Sequence, residues 1–201
     1  MKTLVIATTN RGKLHEILQI LGPDICLKSL ADFPNAPEVI EDGDTFEANA
    51  IKKASIIAEH TGLPTLADDS GLEVDALNGA PGIYSARFSG ENATDSSNNT
   101  KLLCLLENTP DDQRTARFRC AIAIVSADGT VQTTEAAWEG RILRSPRGEH
   151  GFGYDPLFLI PDQNCTSAEL PPEQKNRLSH RGQALRAAKP LLLNVLEQIP
   201  E

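Results

Sequence analysis

The chain has 201 residues, a net charge of −9, and charged and apolar shares of 23% and 40%. That balance fits a folded globular protein rather than a disordered one. The acidity argues against a nucleic-acid polymer as partner, because surfaces that bind one are basic. It leaves room for a small polyanion, which a few focused cations or a divalent metal can hold on an acidic protein. The length suits one large domain or two closely joined lobes.

In chain order, Thr3 to Ala7 reads as a buried strand and TTNRG as a turn. Lys13 to Leu21 reads as a helix with Leu14, Ile17, Leu18 and Leu21 on its inner face, stopped by Gly22 and Pro23. DICLKSL is a second strand and APEVIEDGD an acidic loop. The helix TFEANAIKKASIIAEH follows, with Asp44 as its cap, Glu47 three residues on, Gly62 at its end, and Phe46, Ala50, Ala54, Ile57 and Ala58 inside. Pro64 to Asp68 is a short strand. The glycine-rich stretch Ser70 to Asn92 reads as a long loop, in which LEVDAL forms a strand or a short helix. A loop of that length in a compact domain is usually functional.

A helix from Asp95 to Glu107 comes next. Thr115 to Ser126 and Val131 to Glu139 then form a hairpin about Asp128-Gly129. SPRGEHGFGYDP is a second glycine-rich loop, followed by the strand LFLI. The last helix buries Leu185, Ala188, Leu192, Val195, Leu196 and Ile199, and Pro190 should kink or divide it. The result is an α/β fold: a mixed sheet flanked by helices, in two lobes. Cys26, Cys104, Cys120 and Cys165 match no zinc or C-x-x-C pattern and read as buried free thiols, which fits a reducing cytosol. MKTLVIATTN has too short an apolar run for a signal peptide, and no run reaches the roughly 20 residues of a membrane span.

Several short motifs carry possible chemistry. ATTNRGK joins a strand to a helix start, where backbone N–H groups and Lys13 attract anions; taken alone, an ordinary βα turn with a solvated lysine is the plainer reading. It is not a Walker A loop, since Ala7 replaces the first glycine and Leu14 follows the lysine. Glu38, Glu41, Asp42 and Asp44 precede a helix, whose dipole favours carboxylates there. Adjacent strand residues point to opposite faces, so Asp68 and Asp69 need not share a site. One of them facing Glu41 would make a magnesium site, and a pair of turn-forming aspartates reads equally from the residues alone. Phe152 and Tyr154 offer a base-stacking platform or a packed corner. His180 and Arg181, after the N-cap Ser179, place cations in a first helical turn, where they need an anionic or electron-rich neighbour. His15, His60 and His150 read as surface residues.

Taken together, ATTNRGK, LADDSGLEVDALNGAPGIYSARFSG, GFGYDP and LSHRGQAL, in this order and at these distances, resemble the Ham1/RdgB family. Its members are noncanonical purine nucleoside triphosphate pyrophosphatases, also called dITP/XTP pyrophosphatases or inosine triphosphatases. The resemblance covers Thr3 to Leu193 and makes residues 1–201 one two-lobed domain. It implies a long mixed sheet, a cleft between the lobes, a cytoplasmic homodimer, Mg2+, and cleavage of the α–β phosphoanhydride of ITP, dITP and XTP. By the same resemblance Thr8, Thr9, Asn10, Arg11, Gly12 and Lys13 hold the triphosphate, with Lys53 facing the phosphates. Glu41 and Asp69 hold the metal, and Asp69 also accepts the proton of the attacking water. Ser70 adds a substrate contact. Phe152, Gly153, Tyr154, Asp155 and Lys175 flank base and sugar, and His180 and Arg181 read the base. Ala48 departs from the pattern: relatives often have Glu there, and here Glu47 lies one place earlier. Two other classes are a kinase or P-loop NTPase, against which TTNRGKL argues, and a non-catalytic nucleotide-binding regulator.

Overall fold

A computed structural model describes residues 2–23 and 25–197. Seven strands form one sheet in the order β2-β1-β3-β4-β5-β6-β7. The strands are β1 (Thr3–Ile6), β2 (Cys26–Ser29), β3 (Thr65–Val74), β4 (Thr115–Val125), β5 (Val131–Ile142), β6 (Phe158–Ile160) and β7 (Cys165–Thr166). The helices are α1 (Arg11–Leu21), α2 (Phe46–Thr61), α3 (Asp95–Leu105), α4 (Pro172–Leu178) and α5 (His180–Glu197). β1 pairs parallel with β2 and β3, whereas β6 pairs antiparallel with β5 and β7, so the sheet is mixed. The parallel part follows from the helical crossovers α1 and α2, and its central strand β1 is buried and wholly apolar after Thr3, as a strand covered on both faces must be.

By compactness the chain divides into two units. The first comprises the residues up to Asp69, Cys120–Ala136, and those from Arg181 on; the second comprises Ser70–Arg119 and Ala137–His180. In the first unit, Leu4, Ile6, Leu66, Ile122 and Ile124 pack with Ile17 and Leu21 of α1 and Leu185, Ala188, Leu192, Val195 and Leu196 of α5. Two neighbours on β5 show that helices cover both faces. Thr134 Oγ1 donates to Ala184 O on α5, and Thr133 Oγ1 donates to Glu47 Oε1 on α2. In the second unit, Phe158 stacks obliquely on Phe118 and Trp138, and Leu72, Val74, Leu102 and Leu106 close the core. The Arg114 guanidinium is buried and donates to the carbonyls of Leu106, Ile142 and Leu143, so its charge is spread over three backbone acceptors.

Six sequence expectations need correction. β3 does not stop at Asp68. It continues to Val74, so Asp68 and Asp69 lie inside a strand and the long loop is correspondingly shorter, with Asp75–Leu77 as a 3-10 turn. In α1 the buried face is Glu16, Ile17 and Leu21, while Leu18 is 41% exposed. The stripe is rotated because Glu16 takes an interior position against Arg181. α1 also begins at Arg11 rather than Lys13, because Asn10 Oδ1 caps it by accepting from Lys13 N. The cap of α2 is Thr45, extended at φ −137°, whose side chain accepts from Ala48 N, and not Asp44. α5 runs unbroken through Pro190; apolar contacts on both sides of the proline offset the one backbone hydrogen bond it removes. The four thiols are free, but only Cys120 is buried, and Cys104 is exposed. Cys104 follows the buried Leu102 by two residues, which puts it on the opposite side of α3. Asp24 and Ile199 lie outside the described residues. Among those residues no helix is long and apolar enough to cross a membrane.

Candidate active site

In the first unit, the turn Ala7 to Asn10 brings the chain from β1 into α1. Thr8 Oγ1 accepts from Asn10 N, which shapes the turn. Thr9, Asn10 and Arg11 are exposed, and Thr8 and Gly12 are half-buried. Lys13, one helical position further, turns inward to Asp68. The free N–H groups of the first turn and the exposed polar side chains therefore face solvent at the positive end of the α1 dipole.

The two adjacent aspartates serve different neighbours. The Asp68 carboxylate is fully buried. Its Oδ1 lies 2.6 Å from Lys13 Nζ, and its Oδ2 accepts from Arg181 Nε at 2.9 Å and from Cys120 Sγ at 3.0 Å. Arg181 is in turn paired through Nη1 with Glu16. Burial pushes the Asp68 carboxyl up, but the charges of Arg181, Lys13 and Lys53 outweigh it and hold the group well below the ordinary carboxylate range. The same network raises Arg181 against its burial, through Asp68 and Glu16. Asp68 is thus an ionised carboxylate whose bonding capacity is spent within the protein.

Asp69 points the other way, as strand alternation requires. Lys53 of α2 gathers the groups on that side. Its ammonium donates to Glu41 Oε1 at 2.5 Å and to the backbone carbonyl of Asp68 at 2.8 Å, and lies 3.6 Å from Asp69 Oδ1. Burial lowers Lys53, yet Asp69 and Glu41 raise it further, so it is firmly cationic. Asp69 is raised: desolvation dominates, against the opposing pull of Lys53 and Lys13. A carboxylate whose charged form is disfavoured by desolvation is a better proton acceptor than one in water.

Glu41 and Asp69 are the groups here that could hold a metal. They are two oxygen donors sharing one cation, and among the described residues no group of three or more His, Cys, Asp and Glu side chains is placed to hold a metal ion. Two carboxylates fit magnesium, which keeps several waters and takes further oxygens from a phosphate. Glu47, the carboxylate nearest in sequence to Ala48, is occupied by Thr133.

In the second unit the GFGYDP loop is organised around Asp155. Its buried carboxylate accepts from Lys175 Nζ at 2.6 Å, Ser167 Oγ at 2.8 Å and Phe152 N at 2.9 Å. A side chain at Gly151, whose φ is +77°, would run into that carboxylate, so the loop needs glycine there. Asp155 is therefore an internal anchor rather than a group open to a sugar. Of the two aromatic residues, Tyr154 is packed away, with its hydroxyl donating to Ser85 O at 2.8 Å. Phe152 is half-buried, and Lys175 Nζ sits 4.9 Å from its ring centroid. A cation over a half-buried ring suits an electron-rich heterocycle with an anionic tail. The buried His180 ring stacks on Phe118, with centroids 4.8 Å apart. Ser70 is half-buried in β3.

The structure thus gathers Lys13, Asp68 and Arg181 into one group, Glu41, Lys53 and Asp69 into a second, and Phe152, Asp155 and Lys175 into a third. Sequence reasoning missed one partner of Arg181, Glu16, and one of Asp68, Cys120. Glu16 carried a signal, a carboxylate beside Ile17 on the buried stripe of α1. Cys120 carried none, since a cysteine in RFRCAIAIV reads simply as a small core residue.

Comparison with known proteins places these groups in a lineage. Residues 4–191 match the model of the Ham1 family. The chain belongs to the Ham1 family. It is 60% identical over 190 residues to a dITP/XTP pyrophosphatase of Geobacter sulfurreducens, covering 94% of this chain and 96% of that protein. A dITP/XTP pyrophosphatase of Vibrio cholerae is 53% identical, with 92% and 94% covered. Among solved structures, a Ham1 protein from Coxiella burnetii superposes with a TM-score of 0.87 at 44% identity, covering 96% of this chain and all of that one. A nucleoside-triphosphatase/dITP/XTP pyrophosphatase from Mycobacterium abscessus gives 0.76 at 46% identity, with 94% and 99% covered. The mixed sheet with flanking helices is accordingly the Ham1 fold.

Proposed function

We propose that this protein hydrolyses deaminated purine nucleoside triphosphates (ITP, dITP and XTP) to the monophosphate and pyrophosphate, and so clears them from the nucleotide pool. The observation that carries the chemistry is the division of labour in β3: Asp68 is fully committed to Lys13, Arg181 and Cys120, whereas Asp69 is raised and sits with Glu41 about Lys53. The names of the Geobacter and Vibrio relatives supply the substrate class.

In this reading the exposed N-terminal turn of α1, from Thr8 to Gly12, receives the phosphates, and Lys13 and Lys53 neutralise them. Glu41 and Asp69 would hold magnesium, which when bound screens the phosphate oxygens and makes water easier to deprotonate. Asp69 accepts one proton as water adds to phosphorus; the α–β bridging bond breaks, and monophosphate and pyrophosphate separate. Ser70, next in the chain, adds a hydrogen bond. No covalent enzyme intermediate is needed.

The base lies against Phe152, with Gly153 and Tyr154 shaping the loop, Asp155 anchoring it and Lys175 alongside. Arg181 can only donate, so beside His180 it favours the C6 oxygen of hypoxanthine and xanthine over the C6 amino group of adenine. A donor left unpaired is the kind of mismatch that rejects an analogue strongly. Family membership also supports a cytoplasmic homodimer, which sedimentation of the purified protein would test.

The decisive experiment for base choice is a panel of ITP, dITP, XTP and ATP with Mg2+. The expected result is turnover of the first three, with kcat/KM for ATP lower by about 10²-fold or more. Equal turnover of ATP would remove Arg181 and His180 from base recognition.

A further inference from the structure

The loop that carries Phe152 is held by a helix the function has not yet used. Both polar groups of the Gly153 backbone are bonded to α3. Gly153 N donates to Asp95 Oδ2 at 2.7 Å, and Gly153 O accepts from Asn99 Nδ2 at 3.0 Å. Asp95 and Asn99 are four residues apart and so lie one above the other on one face of the helix. The other amide atom of Asn99, Oδ1, is buried and has no hydrogen-bond partner among the described residues. An acceptor left unpaired in this way is costly, so the Nδ2 contact is retained at the expense of local stability.

α3 is itself well fixed. Thr94 and Ser97 form a capping box at its start. Asn98, the residue between the two Gly153 ligands, accepts from Ser89 N and donates to the carbonyls of Ser85 and Ala86. Ser85 O also accepts the Tyr154 hydroxyl, so the residue after Gly153 is tied to the same segment. On the other side of Phe152, its own backbone N–H is held by Asp155. Gly153 has φ +62°, a conformation that glycine adopts freely and that the loop does not impose by itself.

We infer that Asp95 and Asn99 are positioning residues for base recognition: they clamp the Gly153 peptide and thereby fix the Phe152 ring in the place where a purine stacks. The inference rests on the proposed function and adds specificity elements on α3 that do not touch the substrate. Its signature is a split between kinetic constants. A misplaced platform weakens the hold on the base, while the groups around Asp69 are unchanged.

The test is steady-state hydrolysis of ITP with Mg2+ by wild type, Asp95→Ala, Asp95→Asn and Asn99→Ala, together with amide hydrogen exchange at Gly153. Asp95→Ala and Asn99→Ala should raise KM about fivefold to tenfold, a part of what a stacked base contributes, with kcat within about twofold of wild type. Asp95→Asn keeps an acceptor oxygen for Gly153 N and should restore KM, and Gly153 exchange should quicken in Asp95→Ala but not in Asp95→Asn. If Asp95→Ala and Asp95→Asn behave alike, or kcat falls while KM holds, the clamp is overturned and Asp95 serves only the helix. If wild type releases no pyrophosphate from ITP, the proposed function falls first and the inference with it.

Discussion

Asp69→Asn is expected to lower kcat for ITP by about 10²–10⁴-fold, the usual contribution of a general base, with the fold intact. The asparagine keeps the shape of the side chain and loses the capacity to take a proton, together with the negative charge that Asp69 offers a metal and Lys53. It should not weaken the structure, because the native carboxylate is a desolvated group whose charged form is disfavoured where it stands. Glu41 remains to pair with Lys53. Thermal denaturation should therefore show a midpoint equal to or above that of wild type. A kcat within threefold of wild type would assign proton transfer to another group.

The neighbouring substitution should do the reverse. Asp68→Ala is expected to cost about 3–5 kcal/mol of stability, the penalty for removing one partner of a buried ion pair. The carboxylate is the common acceptor for Lys13, Arg181 and Cys120, and all three would lose their bond at once. Glu16 can satisfy only part of Arg181. Urea denaturation measures the loss directly, and a change below about 0.5 kcal/mol, the range of ordinary surface substitutions, would show that Asp68 is not the keystone of that network. Two adjacent residues of one type would then separate cleanly: one substitution lowers the rate and spares stability, the other lowers stability first.

Much of the scaffold could be read from the chain. The 3- and 4-residue spacing of Phe46, Ala50, Ala54, Ile57 and Ala58 predicts α2, and all five are buried. The apolar residues Leu185, Ala188, Leu192, Val195 and Leu196 predict α5 equally well. The failures came where tertiary partners override local preference. The sequence DDSG looks like a turn because each residue type favours one. It is strand because salt bridges to α1, α2 and α5 hold both aspartates in place, and no local rule encodes those long-range contacts. Leu18 and Glu16 exchanged places for a similar reason: an arginine 165 residues away makes the carboxylate the better interior residue. The chemical roles were harder to read. Resemblance proposes Asp69 and Glu41 for the metal, but the commitments of Asp155 to Lys175 and of Tyr154 to Ser85 follow only from bonds that sequence does not display.

The proposed reaction breaks the bond between the α and β phosphates. Phosphorus NMR of ITP incubated with the protein and Mg2+ tests it most directly, since pyrophosphate and orthophosphate resonate apart. IMP and pyrophosphate should grow together in equal amounts while no IDP forms. Accumulation of orthophosphate with IDP would contradict it.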